Sequence, residues 1–376
     1  EPRQMGSERS NDSPGTSEPI DVPGTVNGTL VGPDQDVYRF EAKQGERFVI
    51  EVEARRAGSA LDPVIRVLDA NKRQLHINND ALSLGVDCRL NVLFPSDGLY
   101  YVVVHDAKFS SQKENFYRLK LGPFTYAEGL FPLGWRRGEK TSVRLLGGNL
   151  TESTEVEVDL QEVESDFVMI SVPGAPGALP IPFAVSDLPQ VLERPEGDLM
   201  SLEPATEIHG QISMPGEVDR YRLAVNPGEE WRLELGAAGL GASRLFGRLT
   251  VFDENHNRLD SAGDKIPKGA DGALVVHGRK SSDPYLNFKV PPEVREVLVT
   301  VEDLVDRGGP LFVYRLSAVR QAQDFSLALD TAYVNVPEGG TAVVDVTAQR
   351  RGYMGQIRLS FPDAPSDLIV EGGAIL

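Results

Sequence analysis

VNGTLVGPDQDVYRFEAKQGERFVIEVEA, residues 26–54, is the stretch on which the fold turns. Phe48, Ile50 and Val52 alternate with Val49, Glu51 and Glu53, giving one apolar and one mostly polar face, the period-two pattern of a half-buried strand. Much of the stretch returns as IHGQISMPGEVDRYRLAVNPGEEWRLELGA, residues 208–237. Gly28 recurs as Gly210, Asp36 as Asp219, Tyr38 as Tyr221 and Gly45 as Gly228. In the second copy Trp231, Leu233 and Leu235 alternate with Arg232 and Glu234. A repeat of this kind means one structural unit used twice.

The repeat extends outward from there. VIRVLDANKRQL (64–75) returns as RLTVFDENHNRL (248–259), with Asp69 matching Asp253, and residues 98–122 return as 296–319, with Tyr117 matching Tyr314. Tyr100, Val102 and Val104 again alternate, and Asp69, Ala70, Asn71 and Lys72 read as a hairpin bend. The spacing between copies is 182 residues at the glycine, 184 at Asp69/Asp253 and 197 at Tyr117/Tyr314. The second copy has therefore gained 13 residues after Asp253. The polar stretches GDKIPKGADG (263–272) and GRKSSDPY (278–285) are the expected place for a long surface loop.

Composition sets the frame. A chain of 376 residues with 37 glycines and 26 prolines falling between short apolar runs suits several β domains with many turns and few long helices. A net charge of −18 repels phosphate backbones and anionic lipid, which argues against nucleic-acid binding by charge. It suits solubility outside the cell or divalent cations. No apolar run approaches the ~18 residues that cross a bilayer. Cys88, the one cysteine, has no partner for an internal disulfide and reads as a buried structural residue within a strand. The five histidines (His76, His105, His209, His256 and His277) form no HExxH pair and read as surface turn residues; no GxSxG elbow is present. Catalysis is not expected. Tyr38, Phe40 and Trp231 read as core, and Trp135 as buried ahead of an exposed sugar platform.

The residues quoted above carry a resemblance. The GTL…DQDVYRF opening, the AKQGE turn, LDPVIRVLDAN, NND…D and the closing PSDGLYYVVV…YRL resemble the bacterial pre-peptidase C-terminal domain, a jelly-roll-like sandwich. The resemblance covers residues 8–122 and, more loosely, 191–320. PLGWRRG and GGNL, in residues 123–187, resemble an immunoglobulin-like fold of transcription factors and receptors, with PGAPGALPIP (173–182) as a loop inside it. The stretch from Asp324 resembles the opening of an immunoglobulin-like domain of bacterial surface proteins, with too few residues for a complete one. The arrangement is similar to that of planctomycete surface proteins. It implies an all-β fold of tandem jelly-roll-like β-sandwiches alternating with immunoglobulin-like sandwiches: domains at 1–122, 123–187, 188–322 and an incomplete one at 323–376.

The resemblance also implies a metal. Some family members bind calcium between an acidic leading segment, ExEPND, and an aspartate pair before the first aromatic strand. Here the corresponding residues are Glu8, Asn11 and Asp12 in SERSND, and Asp34 and Asp36 in PDQDVYRF; Arg9 and Ser10 depart from the pattern. The second copy offers Glu193, Glu196 and Asp198 facing Glu217 and Asp219. Hard cations want several such oxygens. The alternatives are that Asp34 and Asp36 cap a turn, that Glu8 to Asp12 fray, and that Asp80 and Asp87 are ordinary turn residues. The functional expectation is a non-catalytic binding or spacing array of a secreted, periplasmic or cell-surface protein. Its partners would be a protein or polysaccharide of the cell surface or matrix, with no nucleic acid and no membrane insertion. An accessory region of a secreted hydrolase and a structural protomer of a surface assembly are the alternatives.

Overall fold

The computed structural model describes residues 3–4, 11–82, 84–109, 115–150, 154–175, 177–194, 199–263, 283–320, 324–329, 336, 339–351, 353, 355–360, 369 and 373–375. Among them there is no α-helix. The fold is all-β, in tandem sandwiches.

The first sandwich has ten strands. They are β1 (Arg3–Gln4), β2 (Glu18–Pro19), β3 (Gly24–Thr29), β4 (Gln35–Ala42) and β5 (Arg47–Glu53), followed by β6 (Pro63–Leu68), β7 (Gln74–Asn78), β8 (Arg89–Leu93), β9 (Gly98–Asp106) and β10 (Phe116–Gly122). One sheet runs β1-β3-β10-β5-β8 and the other β2-β4-β9-β6-β7. The chain crosses between sheets at almost every turn, the jelly-roll habit. Phe48, Ile50 and Val52 from one sheet meet Tyr100, Val102 and Val104 from the other in a single core that also buries Cys88. Residues on the outer face of β4, β6 and β9 form a second, smaller buried cluster of Val37, Leu68, Tyr101 and Val103.

The middle unit is β11 (Gly129–Phe131), β12 (Gly134–Arg136), β13 (Lys140–Leu146), β14 (Thr154–Asp159), β15 (Phe167–Ile170) and β16 (Ile181–Ser186). These strands make two three-stranded sheets, β11-β13-β14 and β12-β16-β15, around a shared core. Pro173–Pro182 connects β15 to β16 within the unit and ends inside β16.

The second sandwich has β17 (Gln190–Leu192), β18 (Met200–Ser201), β19 (Thr206–Gln211), β20 (Val218–Ala224) and β21 (Glu230–Gly236). It continues with β22 (Gly247–Phe252), β23 (Arg258–Gly263), β24 (Tyr285–Lys289), β25 (Glu296–Asp303) and β26 (Val313–Arg320). Its sheets, β17-β19-β26-β21-β24 and β18-β20-β25-β22-β23, repeat those of the first, strand for strand. The extra length lies between β23 and β24, where Gly263 and Tyr285 bracket a stretch that corresponds to Asn78–Arg89 of the first copy. Most of that loop lies outside the described residues. Trp231, at 0 % exposure, is at the centre of this core. Two short pairs follow, β27 (Asp324–Leu329) with β28 (Val346–Arg351), and β29 (Ile357–Arg358) with β30 (Ala374–Ile375).

The middle core does not stop at the middle unit. Ala242, Leu311 and Val313 of the second sandwich belong to it. Trp135 is half-buried and stacks on His209 at 6.0 Å between ring centroids, while its indole N–H donates to Glu139 Oε2 at 3.1 Å. It is spent on the contact between two units and forms no open platform. The histidine reading needs correction as well. His76, His105 and His209 are on strands, and His209 is fully buried; of the described histidines only His256 sits on an exposed turn. His277 lies outside the described residues. A strand position facing a neighbouring domain, not local turn chemistry, decided the fate of His209.

Candidate functional site: a buried carboxylate–tyrosine cluster in each sandwich

The repeated residues converge. Asp36 and Tyr38 are two apart on β4 and so face the same way, into the sandwich. Tyr117 on β10 pairs across the sheet with Gly28 on β3. A Cβ at position 28 would fall inside the Tyr117 ring, so only glycine lets that ring lie against the strand. The Tyr117 hydroxyl donates to Asp36 and lies 2.8 Å from the Tyr38 hydroxyl.

The second sandwich rebuilds this arrangement with one more carboxylate. Tyr314 pairs with Gly210, whose Cβ would again collide with the ring. Tyr314 donates to Asp219 at 2.6 Å and touches the Tyr221 hydroxyl, which in turn donates to Glu193 at 2.7 Å. In β-strand register, the first-copy position equivalent to Glu193 is Met5, outside the described residues.

Burial governs the charges. Asp36 is pushed up to about 6, chiefly by loss of solvent and further by Asp34 and Asp12, against hydrogen bonds from Tyr117 and Asn11. Asp219 is pushed up to about 7 by burial and then by the charge of Glu193. Burial also raises Glu193, and it lifts Tyr38, Tyr117, Tyr221 and Tyr314 above the usual phenol range, so the tyrosines stay neutral donors. These are groups held in place by one another, deep in a core.

The sequence-derived metal residues come together in part. The Asn11 carbonyl accepts from the Val37 N–H at 2.9 Å, and the Asp12 carbonyl accepts from Gln35 Nε2 at 2.7 Å. Asn11–Asp12 is therefore docked along the start of β4, which corrects the frayed-terminus alternative for these two residues. Asp34 is raised by partial burial and by the neighbouring Asp12. Asn11, Asp12, Asp34 and Asp36 thus meet at one end of the sandwich, while Glu8 lies outside the described residues, as do Glu196 and Asp198 of the second copy. Among the described residues, no three His, Cys, Asp or Glu side chains are placed to hold a metal ion. Asp36 is engaged by Tyr117, and in the second copy Glu217 accepts the Met214 N–H at 3.0 Å.

Asp87 is no ordinary turn residue. Fully buried, it accepts backbone N–H groups of Ala54, Arg55 and Arg56 at 3.1, 2.8 and 3.3 Å, and Arg56 Nε at 2.7 Å. Asp283 does the same in the second copy, accepting from Ala237 and Gly239 at 2.8 and 3.0 Å. Each carboxylate ties the loop before its eighth strand to a one-turn 3-10 helix, Arg55–Ala57 or Ala238–Leu240. Asp80 is part-buried, and its carboxyl is raised by that burial and by Asp62.

No protein-family model and no curated protein sequence matches the chain. Solved structures do match. The pre-peptidase C-terminal domain of a collagenase from Bacillus anthracis is 18 % identical, with a TM-score of 0.23 over 28 % of this chain and 93 % of that one. A periplasmic inhibitor of g-type lysozyme from Aeromonas hydrophila is 17 % identical, with a TM-score of 0.22 over 28 % of this chain and 91 % of its own. The tandem CBM51 modules of a family 98 glycoside hydrolase from Streptococcus pneumoniae are 11 % identical, with a TM-score of 0.18 over 77 % and 83 % of the two chains. The first two have the length of one sandwich.

Proposed function

We propose that the chain is a non-catalytic array of binding and spacing modules from a secreted or cell-surface protein, its two ten-stranded sandwiches being of the pre-peptidase C-terminal type. The observation that carries this reading is what the two copies share. Gly28/Gly210, Asp36/Asp219, Tyr38/Tyr221 and Tyr117/Tyr314 are all consumed in buried contacts, and Asp69 and Asp253 in their own hairpins, where they accept the Arg73 and Asn257 N–H groups. A repeated reaction centre would need a base and a nucleophile open to a substrate. The repeat instead preserves what folds a sandwich, and leaves the surfaces free to differ. Its partners are then a protein or polysaccharide of the cell surface or matrix. Incubating the purified chain with peptide, glycoside and ester substrates is expected to give no turnover. Turnover that a single substitution in the chain abolishes would overturn the reading.

Calcium at the first sandwich is a further proposal, with Asn11, Asp12, Asp34 and Asp36 among its ligands; it requires Asp12, Asp34 and Asp36 to draw closer together than they stand. Burial and then Asp12 raise Asp34, burial and then Asp34 and Asp12 raise Asp36, and a bound divalent cation relieves that crowding. Binding to the folded chain alone stabilises it by about 2.7 kcal/mol when calcium is ~100-fold above its dissociation constant. A thermal scan with calcium and with chelator should separate by several degrees, and Asp34→Asn should close the gap. Identical midpoints with and without calcium would remove the site.

A further inference from the structure

The register of the two sandwiches makes each a control for the other. Asp36 pairs with Val104 and Asp219 with Val301, so every position on the outer faces of β4, β6 and β9 has a counterpart on β20, β22 and β25. In the first sandwich that face carries Val37, Leu68, Tyr101 and Val103, packed together and 0–9 % exposed. In the second the same four positions hold Arg220, Phe252, Leu298 and Thr300. These residues, together with Val218, His256 and Glu302, line a depression of about 250 Å³. Its volume stands just below the usual range of small-ligand sites, roughly 300–1,000 Å³.

The lining is mixed in a particular way. Phe252 and Leu298 are part-exposed and give an apolar wall. Thr300 and Arg220 sit side by side across the β20–β25 ladder. The Thr300 hydroxyl has no hydrogen-bond partner among the described residues. Arg220 spends one N–H on the Val218 carbonyl at 2.9 Å and, among the described residues, faces no carboxylate within ion-pair distance, although the chain carries a net charge of −18. Glu302 provides carboxylate oxygens, one of them 3.3 Å from Arg248. Donors, acceptors and a hydroxyl that serves as both therefore surround an aromatic wall. One ligand chemistry offers hydroxyls of both kinds around a ring with an apolar C–H face, and that is a sugar.

We infer that the outer face of β20, β22 and β25 is a site for a single sugar ring of a glycan, stacked on Phe252 and hydrogen-bonded by Arg220, Thr300 and Glu302. This deepens the binding-array reading and rests on it. It also moves any sugar site away from the tryptophans and from Tyr38 and Phe40, all of which are committed to internal packing.

Affinity electrophoresis through gels containing dextran, xylan, laminarin, pectin or hyaluronan tests the inference, with free monosaccharides as competitors. At least one polymer should retard the chain, and Arg220→Met and Thr300→Val should each weaken retention about tenfold or more with unchanged melting temperatures. Phe252→Leu, which keeps an apolar wall without the ring, should weaken it as well. Competition by a monosaccharide would mark a chain end as the source of the ring; retention without competition would mark the interior of a polymer. No retardation by any glycan, or retardation that both polar variants leave intact, would overturn the inference. A non-catalytic spacer or protein-binding array would survive that result, whereas turnover of a substrate would defeat the array reading itself.

Discussion

Asp219 has every neighbour arranged to favour its neutral form except two. Burial and the charges of Glu193 and Glu217 raise it, while the hydrogen bond from Tyr314 and the charge of Arg220 lower it, and the balance leaves it at about 7. An unfolded aspartate titrates near 3.8. The folded state therefore holds this proton more tightly, so its contribution to stability is complete below about pH 4 and is lost as pH rises through about 7. A shift of this size corresponds to a penalty of the order of 4 kcal/mol on the ionised form. Asp219→Asn, which keeps a hydrogen-bonding side chain without the charge, should stabilise the second sandwich at pH 8 and change little at pH 4.5. Urea unfolding at the two pH values in the presence of chelator measures the difference; a variant with the wild-type pH dependence would refute the assignment. Asp36, with a smaller rise to about 6, should lose its part earlier in the same direction. The sequence aligned these aspartates and tyrosines by position. It did not reveal that they meet, because 79 to 95 residues separate partners such as Tyr38 and Tyr117 or Asp219 and Tyr314, and only strand register closes that distance.

Strands were the readable level of this chain. Alternation in Phe48–Val52, Trp231–Leu235 and Tyr100–Val104 marks faces that the cores then bury, because a two-residue period leaves each side chain only one side to occupy. Glycine was less transparent. Gly28 has an ordinary extended backbone, and its requirement comes from the Tyr117 ring lying across the strand. Gly28→Ala should therefore cost about 1–3 kcal/mol by forcing the ring away, with Gly210→Ala doing the same against Tyr314. A chemical denaturation midpoint unchanged in both variants would mean the rings move aside freely. Gly45 and Gly228 differ in kind: both have left-handed φ, 83° and 79°, at the turn where the chain changes sheet. The pair Asp87/Asp283 escaped the repeat because the longer loop between β23 and β24 shifts the offset from 182 to 196, so a single alignment passes over it. The outer-face depression escaped for the converse reason. It exists where the copies differ, and a repeat directs attention to where they agree.

Across the whole molecule the packing divides the chain unequally. The first sandwich closes its own core, and among the described residues it is tied to the middle unit by a hydrogen bond from Asn91 to the Gly148 carbonyl at 3.4 Å and by the Arg89 guanidinium 4.2 Å above the Tyr126 ring. The middle unit and the second sandwich share Leu311, Val313 and Ala242 in one core, with Gly129 pressed against the Ala242 backbone and Arg244 bonded to Glu128 at 2.9 Å. Apolar burial is non-directional and cooperative, so elements that share a core melt together, while one long hydrogen bond and one cation–π contact contribute too little to link two units. Calorimetry should accordingly resolve two transitions for residues 11–320, one for the first sandwich and one for the rest. The two tryptophans report the second transition from both sides of the shared core: Trp135 lies in the middle unit and Trp231 in the second sandwich. In Trp135→Phe and in Trp231→Phe, each leaving one reporter, the fluorescence melt should coincide with the second calorimetric transition of that same variant. Leu311→Ala, which opens the shared core at a cost of about 2–4 kcal/mol, should lower both reporters equally and leave the first sandwich where it was. A third calorimetric transition, followed by one tryptophan and not the other, would show that the middle unit folds by itself, and the shared core would then be a contact between independent domains.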